Sequence, residues 1–119
     1  MEAAQMGPVG PLGEDAALEV YLARGYRTVA RNWRCRLGEL DLILVKGDTL
    51  VFCEVKTRRG ASFGGGFEAV TWRKQAKVRA LAEAFLQESG ARPDVTRFDV
   101  ASVALGPSGP HVELFEDAF

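Results

Sequence analysis

Two strand-like runs joined by a short turn, in the middle of the chain, limit the possible folds more than any other feature. ELDLILV (39–45) and TLVFCEV (49–55) are both strongly apolar, and the residues that join them include Gly47 and Asp48. Gly-Asp between two such runs is typical of a β-hairpin. We therefore predict two adjacent antiparallel strands, around which the remaining elements must pack.

The other elements are predicted from apolar periodicity and from the residues that end each run. Helical spacing predicts one helix from Gly13 to Arg24, after a loose tail of residues 1–12, and a longer helix from Thr71 to Ser89. Three further strands are predicted from shorter runs: YRTVARNW (26–33), RFDVASVAL (97–105) and HVELF (111–115). The glycine-rich stretch 60–66 is predicted to be a loop. The order α-β-β-β-α-β-β predicts a single α/β domain over residues 13–119, with a central mixed β-sheet flanked by α-helices.

The composition is that of a folded globular protein and argues against several other classes. Hydrophobic residues make up 47% and charged residues 26% of the 119 residues, which fits one domain with a single core. Apolar runs of about 18 residues, as a membrane span requires, do not occur, and the N-terminal segment lacks the pattern of a signal peptide. Cys35 and Cys53 lie far apart, which argues against a zinc knuckle or a redox pair. We expect a cytoplasmic protein.

The formal net charge of -1 hides a basic middle region. From Arg24 to Arg79 there are 13 Lys and Arg residues against five acidic residues, a balance of 13 - 5 = +8. Such a local positive field fits a polyanionic partner such as nucleic acid, and it fits an ordinary solvated surface equally well. The candidate phosphate-binding residues in this region are Arg34, Arg58, Arg59, Arg73, Lys74 and Lys77. Trp33 and Trp72 lie among these cations, where an indole either stacks on an unpaired base or packs in the core.

The hairpin brings acidic residues into an otherwise apolar sheet. Strand alternation predicts that Glu39, Asp41 and Ile43 share one face of the first strand and that Glu54 and Lys56 share one face of the second. If paired positions sum to 95, Asp41 lies opposite Glu54 and Glu39 lies opposite Lys56. Carboxylates placed opposite each other repel, and a divalent cation between them would offset that repulsion. With the carbonyl of Val55, they supply the oxygen ligands that suit Mg²⁺ or Mn²⁺.

Lys56 gives the same patch a second chemical group. Its ammonium could orient or deprotonate a water molecule, or offset charge that develops on a phosphate in the transition state. The alternative is an exposed strand face on which Glu39 and Lys56 form a cross-strand ion pair that contributes little. The residues alone leave both interpretations open.

GELDLI (38–43) and VFCEVKTR (51–58) carry a resemblance to a known family. They resemble the two central motifs of the YraN-type uncharacterised bacterial family, which lies within the PD-(D/E)xK nuclease superfamily and near the archaeal Holliday-junction resolvases. The resemblance extends from about Gly13 to Phe119, and RFDV (97–100) also matches. It implies a restriction-endonuclease-like fold.

The resemblance also implies roles for individual residues. Asp41 and Glu54 would be metal ligands and Lys56 the catalytic lysine. Glu14 would be the additional acid that such nucleases often place near the metal, acting through a water molecule, although an acid in a first helical turn also stabilises the helix by itself. Glu39 matches the acid of the family's GEIDLI motif, with Leu40 in the isoleucine position.

These observations together predict a Mg²⁺- or Mn²⁺-dependent endonuclease that hydrolyses phosphodiester bonds in DNA, with branched or structured DNA as a candidate substrate. The alternative is a nucleic-acid-binding module of the same fold with little or no turnover. RNA processing by the same chemistry also stays open, because nothing in the motifs distinguishes a 2′-hydroxyl. By analogy with junction resolvases, a homodimer is expected.

Overall fold

The computed structural model describes residues 9–59 and 71–119. The helices and strands in this part of the chain are α1 (Val9–Ala23), β1 (Arg27–Cys35), β2 (Gly38–Lys46), β3 (Thr49–Arg59), α2 (Trp72–Ser89), β4 (Val95–Gly106) and β5 (Gly109–Phe115). This order confirms the predicted α/β fold and is consistent with a restriction-endonuclease-like architecture. The predicted loop at residues 60–66 and the first eight residues of the predicted tail lie outside the described residues.

The five strands form one mixed sheet in the order β1-β2-β3-β4-β5. Neighbouring strands are antiparallel except for β3 and β4, which are parallel. Antiparallel neighbours need only a turn between them, whereas parallel neighbours need a crossover connection, and α2 lies in that connection. The connection thereby places α2 on one face of the sheet.

The sheet has an apolar core on each face. On one face, α1 packs against residues of β2, β3 and β4. On the other face, α2 packs against residues of β1, β2 and β3. Because β2 and β3 are covered on both faces, they have nearly continuous apolar runs. These two strands are the ones that carry the predicted acidic pair.

The first helix begins earlier than the sequence predicts. Residues 9–12 belong to α1 rather than to a loose tail. Pro11 is compatible with this start, because the first turn of a helix does not use the backbone N–H that proline lacks. At Gly13, a side chain would overlap Thr57 of β3. Glycine at this position therefore lets α1 approach the sheet closely.

A buried network around Asp99 in β4 fixes α1 and the C-terminal segment to the sheet. The Asp99 carboxylate accepts hydrogen bonds from the Tyr21 hydroxyl at 2.7 Å, from Arg97 Nε at 2.9 Å and from the backbone N–H of Asp117 at 3.0 Å. Burial raises the pKa of the Tyr21 hydroxyl, so that it stays protonated and donates. The network gives a structural reason for the RFDV motif, which the sequence alone identified only by resemblance.

Neither helix is long and apolar enough to cross a membrane within the part of the chain that the structure describes.

Candidate active site

The register of the β2–β3 hairpin confirms the predicted sum of 95, but the ladder stops before the acidic pair. Backbone pairing runs from Lys46↔Thr49 to Leu42↔Cys53. One step further would place Asp41 opposite Glu54, and at this point regular pairing ends. The two strands therefore separate where their carboxylates begin.

The Asp41 side chain occupies the place where the strands separate. Its Oδ2 accepts a hydrogen bond of 2.8 Å from the backbone N–H of Val55. A regular ladder would pair that N–H with the backbone of Leu40, so the carboxylate replaces a backbone acceptor. Because the N–H and C=O of one strand residue point to the same side, the Val55 carbonyl also faces the gap.

Side-chain alternation breaks at this point, which corrects one sequence prediction. Leu40 and Ile43 both pack on the α2 face, whereas Leu42 packs on the α1 face. In a regular strand, Leu40 and Leu42 would share a face. The predicted alternation along β2 is therefore broken at Asp41, and the Asp41 carboxylate lies in the gap between the strands.

The neighbouring strand β1 has a matching irregularity. Asn32 has a φ of 55°, in the left-handed region that asparagine tolerates better than most residues. As a result, consecutive side chains of Arg31 and Asn32 both reach Glu14 of α1. Ala30 and Trp33, on either side of them, both pack against the α2 core. Arg31↔Leu42 and Trp33↔Leu40 are paired, so both breaks lie at the same level of the sheet.

Glu54 is held on the α2 side of the gap. Only 4% of the residue is exposed, and its Oε1 lies 3.1 Å from Lys74 Nζ of α2. The Thr71 hydroxyl caps α2 by accepting a hydrogen bond from the Lys74 backbone N–H at 3.1 Å. The cap fixes the first turn of α2, from which Lys74 neutralises a carboxylate that would otherwise be buried and unpaired.

Asp41 and Glu54 repel each other through the gap. Burial raises the pKa of Asp41 to about 7, and the charge of Glu54 contributes in the same direction, while the Val55 hydrogen bond opposes the rise. A bound cation would remove both penalties on the charged carboxylate. Two carboxylates and the Val55 carbonyl form an oxygen donor set, which fits Mg²⁺ or Mn²⁺.

Glu14 lies near this pair, on the α1 side. It is 8% exposed, and its Oε1 accepts hydrogen bonds from Arg31 Nε at 3.4 Å and from Asn32 Nδ2 at 3.2 Å. Its charge also contributes to the raised pKa of Asp41. Because α1 begins at Val9, Glu14 is not in the first helical turn, and the helix-terminus explanation does not apply.

The candidate centre is a pair of acids and not a triad. Glu14 belongs to α1, which covers one face of the sheet, whereas Glu54 contacts Lys74 of α2 on the other face. Across residues 9–59 and 71–119, three acidic, histidine or cysteine side chains do not come close enough together to hold a metal ion. A cation at this place would therefore take its protein ligands from Asp41, Glu54 and the backbone of Val55.

Glu39 contacts a different residue from the Lys56 that the hairpin register predicts as its partner. It pairs with Arg34 of β1, with 3.6 Å between Oε1 and the Arg34 Nε. Because the β2–β3 ladder has ended, Glu39 does not lie across from Lys56. Lys56 is half-buried beside Ser102 of β4, and strand alternation places it on the same face as Glu54. It forms no ion pair with another residue of the described part of the chain.

The predicted phosphate-binding cations are distributed over several places. Arg34 and Lys74 form ion pairs with Glu39 and Glu54, respectively. Arg58 and Arg59 are the last two residues of β3. The two remaining cations, Arg73 and Lys77, are both exposed on the first two turns of α2.

The two tryptophans differ in their surroundings. Trp33 makes an edge-to-face contact with Phe85 in the α2 core, with ring centroids 5.4 Å apart. Trp72, the first residue of α2, is 81% exposed. The core interpretation therefore holds for Trp33 and fails for Trp72.

Sequence reasoning missed three residues that organise the site. Lys74 was predicted as a phosphate ligand, but it contacts Glu54. Arg31 and Asn32 hold Glu14, and this role was not predicted. The only signal in the sequence was an asparagine inside a strand, which is a residue type that tolerates positive φ.

Comparisons with known proteins identify the family. The model of the uncharacterised protein family UPF0102 matches residues 13–103. The UPF0102 protein of Parafrankia sp. is 53% identical over 95 residues, which cover 80% of each chain. The UPF0102 protein of Frankia alni is 49% identical over 112 residues, 93% of each chain, and that of Symbiobacterium thermophilum is 49% identical over 112 residues, 93% of this chain and 95% of its own. UPF0102 is the YraN family, so the predicted resemblance is confirmed, and the chain belongs to the uncharacterised protein family UPF0102.

Proposed function

We propose that this chain is a metal-dependent endonuclease that hydrolyses phosphodiester bonds in DNA, with branched or structured DNA as its substrate class. One observation carries the proposal: the carboxylates of Asp41 and Glu54 are held within electrostatic reach of each other where β2 and β3 separate. A protein selected only for stability would gain by replacing such a repelling, partly buried pair. Its presence in the sheet supports a chemical role.

The proposed metal ligands are the two carboxylates and the Val55 carbonyl. Mg²⁺ or Mn²⁺ bound there would supply Lewis-acid chemistry to a phosphate oxygen and an activated water molecule. The raised pKa of Asp41, about 7, supports this assignment, because a cation would relieve the cost of ionising that group. The Val55 N–H keeps Asp41 Oδ2 in place and leaves Oδ1 for a ligand.

Lys56 is the proposed catalytic lysine. It follows Glu54 on the same strand face and makes no ion pair with a described residue, so its ammonium is available to orient a water molecule or contact the scissile phosphate. Lys74 has a different role in the proposal. It balances Glu54 while no metal is bound, and phosphate or metal must compete with that contact.

Glu14 is proposed as a positioning residue. Arg31 and Asn32 fix its carboxylate on the α1 side of Asp41, where it adds negative charge to the centre. Asn32 Nδ2 donates to both carboxylate oxygens of Glu14 at 3.2 Å, which fixes the orientation of that carboxylate. Its effect on hydrolysis would therefore pass through Asp41 or a water molecule.

The second candidate is a DNA-binding module with little or no turnover. The observation that favours it is the Lys74–Glu54 ion pair, which already satisfies one of the two carboxylates with an ammonium group. In that case the acidic pair would have a structural role, and added metal would not change binding. A cytoplasmic location and a homodimer belong to the proposal in either case.

Cleavage assays separate the two candidates. The wild-type protein, Asp41→Asn, Lys56→Ala and the control Glu83→Gln, at an exposed acid of α2, are incubated with blunt duplex, single-stranded and four-way-junction DNA and with RNA, with Mg²⁺, Mn²⁺ or EDTA. We expect cleavage of branched DNA that requires metal, falls by at least about 100-fold in Asp41→Asn and Lys56→Ala, and stays within about twofold in Glu83→Gln.

Equal cleavage by the wild-type protein and Asp41→Asn would contradict the proposal, because it would indicate a contaminating nuclease. Salt-dependent binding with no cleavage and no response to metal would support the binding module instead. Cleavage of RNA alone would retain the chemistry and change the substrate class.

A further inference from the structure

Trp72 is the most exposed large hydrophobic side chain in the described part of the chain. It is 81% exposed, whereas the others reach 50% at most. An indole in this state contributes almost nothing to the core, although tryptophan is among the residues that gain most from burial. The contrast with Trp33, which packs on Phe85, indicates that Trp72 serves something other than folding.

The position of Trp72 relative to the candidate active site is fixed by the start of α2. Thr71 caps the helix through a 3.1 Å hydrogen bond from the Lys74 N–H, which orders the turn that contains Trp72. From the same turn, Lys74 Nζ lies 3.1 Å from Glu54 Oε1. The exposed indole therefore belongs to a capped helical turn. It is two residues from Lys74, the side chain that contacts Glu54 of the acidic pair.

The charges near Trp72 indicate the chemistry of its partner. Arg73 and Lys77 are exposed on the first two turns of α2, and that first turn contains no acidic residue. Exposed cations at this end of a helix are unfavourable with respect to the helix dipole, so they are not there to stabilise α2. An exposed aromatic ring beside cations that form no ion pair with a described residue matches a partner with a phosphate backbone and flat aromatic groups.

We propose that Trp72 is a stacking platform for an unpaired base and that it directs the acidic site to DNA with a single-stranded or branched segment. The inference rests on the proposed function and names its substrate class. Bases inside a continuous duplex are stacked on each other, so they cannot stack on the indole, whereas bases at a fork, gap or junction can. Stacking accepts any base, so the residue selects DNA structure and not sequence.

The test measures binding without cleavage, so that it does not depend on turnover. In EDTA, fluorescence anisotropy follows the binding of labelled oligothymidylate, forked duplex and blunt duplex to the wild-type protein, Trp72→Ala and Trp72→Phe. The matched control is Leu22→Ala, which truncates another exposed apolar side chain, 47% exposed on α1. Far-ultraviolet circular dichroism verifies that each variant is folded.

We expect Trp72→Ala to weaken binding of the oligothymidylate and the fork by roughly tenfold and binding of the blunt duplex by less than about twofold. Trp72→Phe should retain most of the affinity, and Leu22→Ala should bind like the wild-type protein. Oligothymidylate should also quench tryptophan emission in the wild-type protein and not in Trp72→Ala.

Three results would overturn the inference: no binding of any DNA, equal losses for single-stranded and duplex DNA, or no loss in Trp72→Ala. Equal losses would make Trp72 a general contact, and no loss would point to a protein partner for this surface. Cleavage with no effect of Trp72→Ala would remove this inference and leave the nuclease proposal intact. Stacking on Trp72 without any cleavage would retain this inference and remove the nuclease proposal.

Discussion

The two halves of the β2–β3 hairpin differ sharply, although the same two strands form both. Near the turn, from Leu42↔Cys53 to Lys46↔Thr49, the strands are fully paired and largely buried. Beyond Leu42 the pairing stops, Asp41 replaces a backbone acceptor, and charged side chains enter the sheet. We call the paired part the closed half and the part that contains Asp41 and Glu54 the open half. The burial and pairing of the closed half stabilise the hairpin, and this stability offsets the unfavourable carboxylate pair in the open half.

The largest expected effect compares two residues on the same face of β3. Phe52→Ala in the closed half removes a fully buried ring that contacts Phe85 and Phe98, and should lower the free energy of unfolding by about 3–5 kcal/mol. Glu54→Gln in the open half should change it by less than about 1 kcal/mol, because loss of the Lys74 ion pair is offset by relief of repulsion with Asp41. Urea unfolding measures both, and equal losses would remove the distinction between the halves.

The next effect concerns the approach of α1 to the open half. Gly13→Ala should destabilise the protein by about 1–3 kcal/mol, because the added methyl group overlaps Thr57. The matched control is Gly10→Ala in the same helix, where the new side chain meets open space and should stabilise α1 by about 0.5–1 kcal/mol. Thermal unfolding compares the two variants. A destabilisation of the same size in both would contradict the close packing of α1 on β3.

A third effect makes the stability of the open half depend on pH. Asp41 has a pKa of about 7 in the folded protein, above its ordinary value of 3.8, so the folded state holds the proton more tightly than the unfolded state. In metal-free buffer, stability should therefore fall as the pH rises from about 4 to 7. Asp41→Asn should be more stable than the wild-type protein by about 1–3 kcal/mol at pH 8 and nearly equal to it at pH 4. Parallel stability curves for the two proteins over this range would contradict the raised pKa.

The smallest effect tests the irregularity in β1. Asn32→Gly keeps the positive φ of 55° but loses the hydrogen bonds to Glu14, and Asn32→Ala loses both. We expect a loss of about 1 kcal/mol for Asn32→Gly and a further loss of roughly 1 kcal/mol for Asn32→Ala. Chemical unfolding of both variants tests this order. Greater stability of Asn32→Ala than of Asn32→Gly would mean that the backbone conformation at this position is not needed.

The sequence predicted the closed half better than the open half, for a physical reason. The Gly47-Asp48 turn and the apolar runs fix the register of the hairpin locally, so the sum of 95 could be obtained without coordinates. Strict alternation then assigned Asp41 and Ile43 to one face, because nothing local distinguishes Leu40 from Leu42. The break lies beside the positive-φ residue Asn32 of a different strand, and this neighbourhood is a tertiary feature that local sequence does not reveal.

The same limit applies to the ion pairs. Lys74 was grouped with the phosphate-binding cations from charge alone, and its contact with Glu54 requires knowledge of where α2 crosses the sheet. From the hairpin register alone, Glu39 was predicted to lie across from Lys56. Because β2 and β3 separate before that point, Glu39 forms its ion pair with Arg34 of β1 instead. In both cases the sequence did not identify the ion-pair partner that the structure shows, because such partners depend on packing between distant elements.

The most direct test of the account is an NMR titration of the Asp41 side-chain carboxyl group in metal-free buffer, in the wild-type protein and in Glu54→Gln. The account predicts a pKa of about 7 in the wild-type protein and a lower pKa in the variant, because the second charge is removed. A pKa near the ordinary value of 3.8 in the wild-type protein, or one that Glu54→Gln leaves unchanged, would contradict a coupled carboxylate pair at the place where the strands separate.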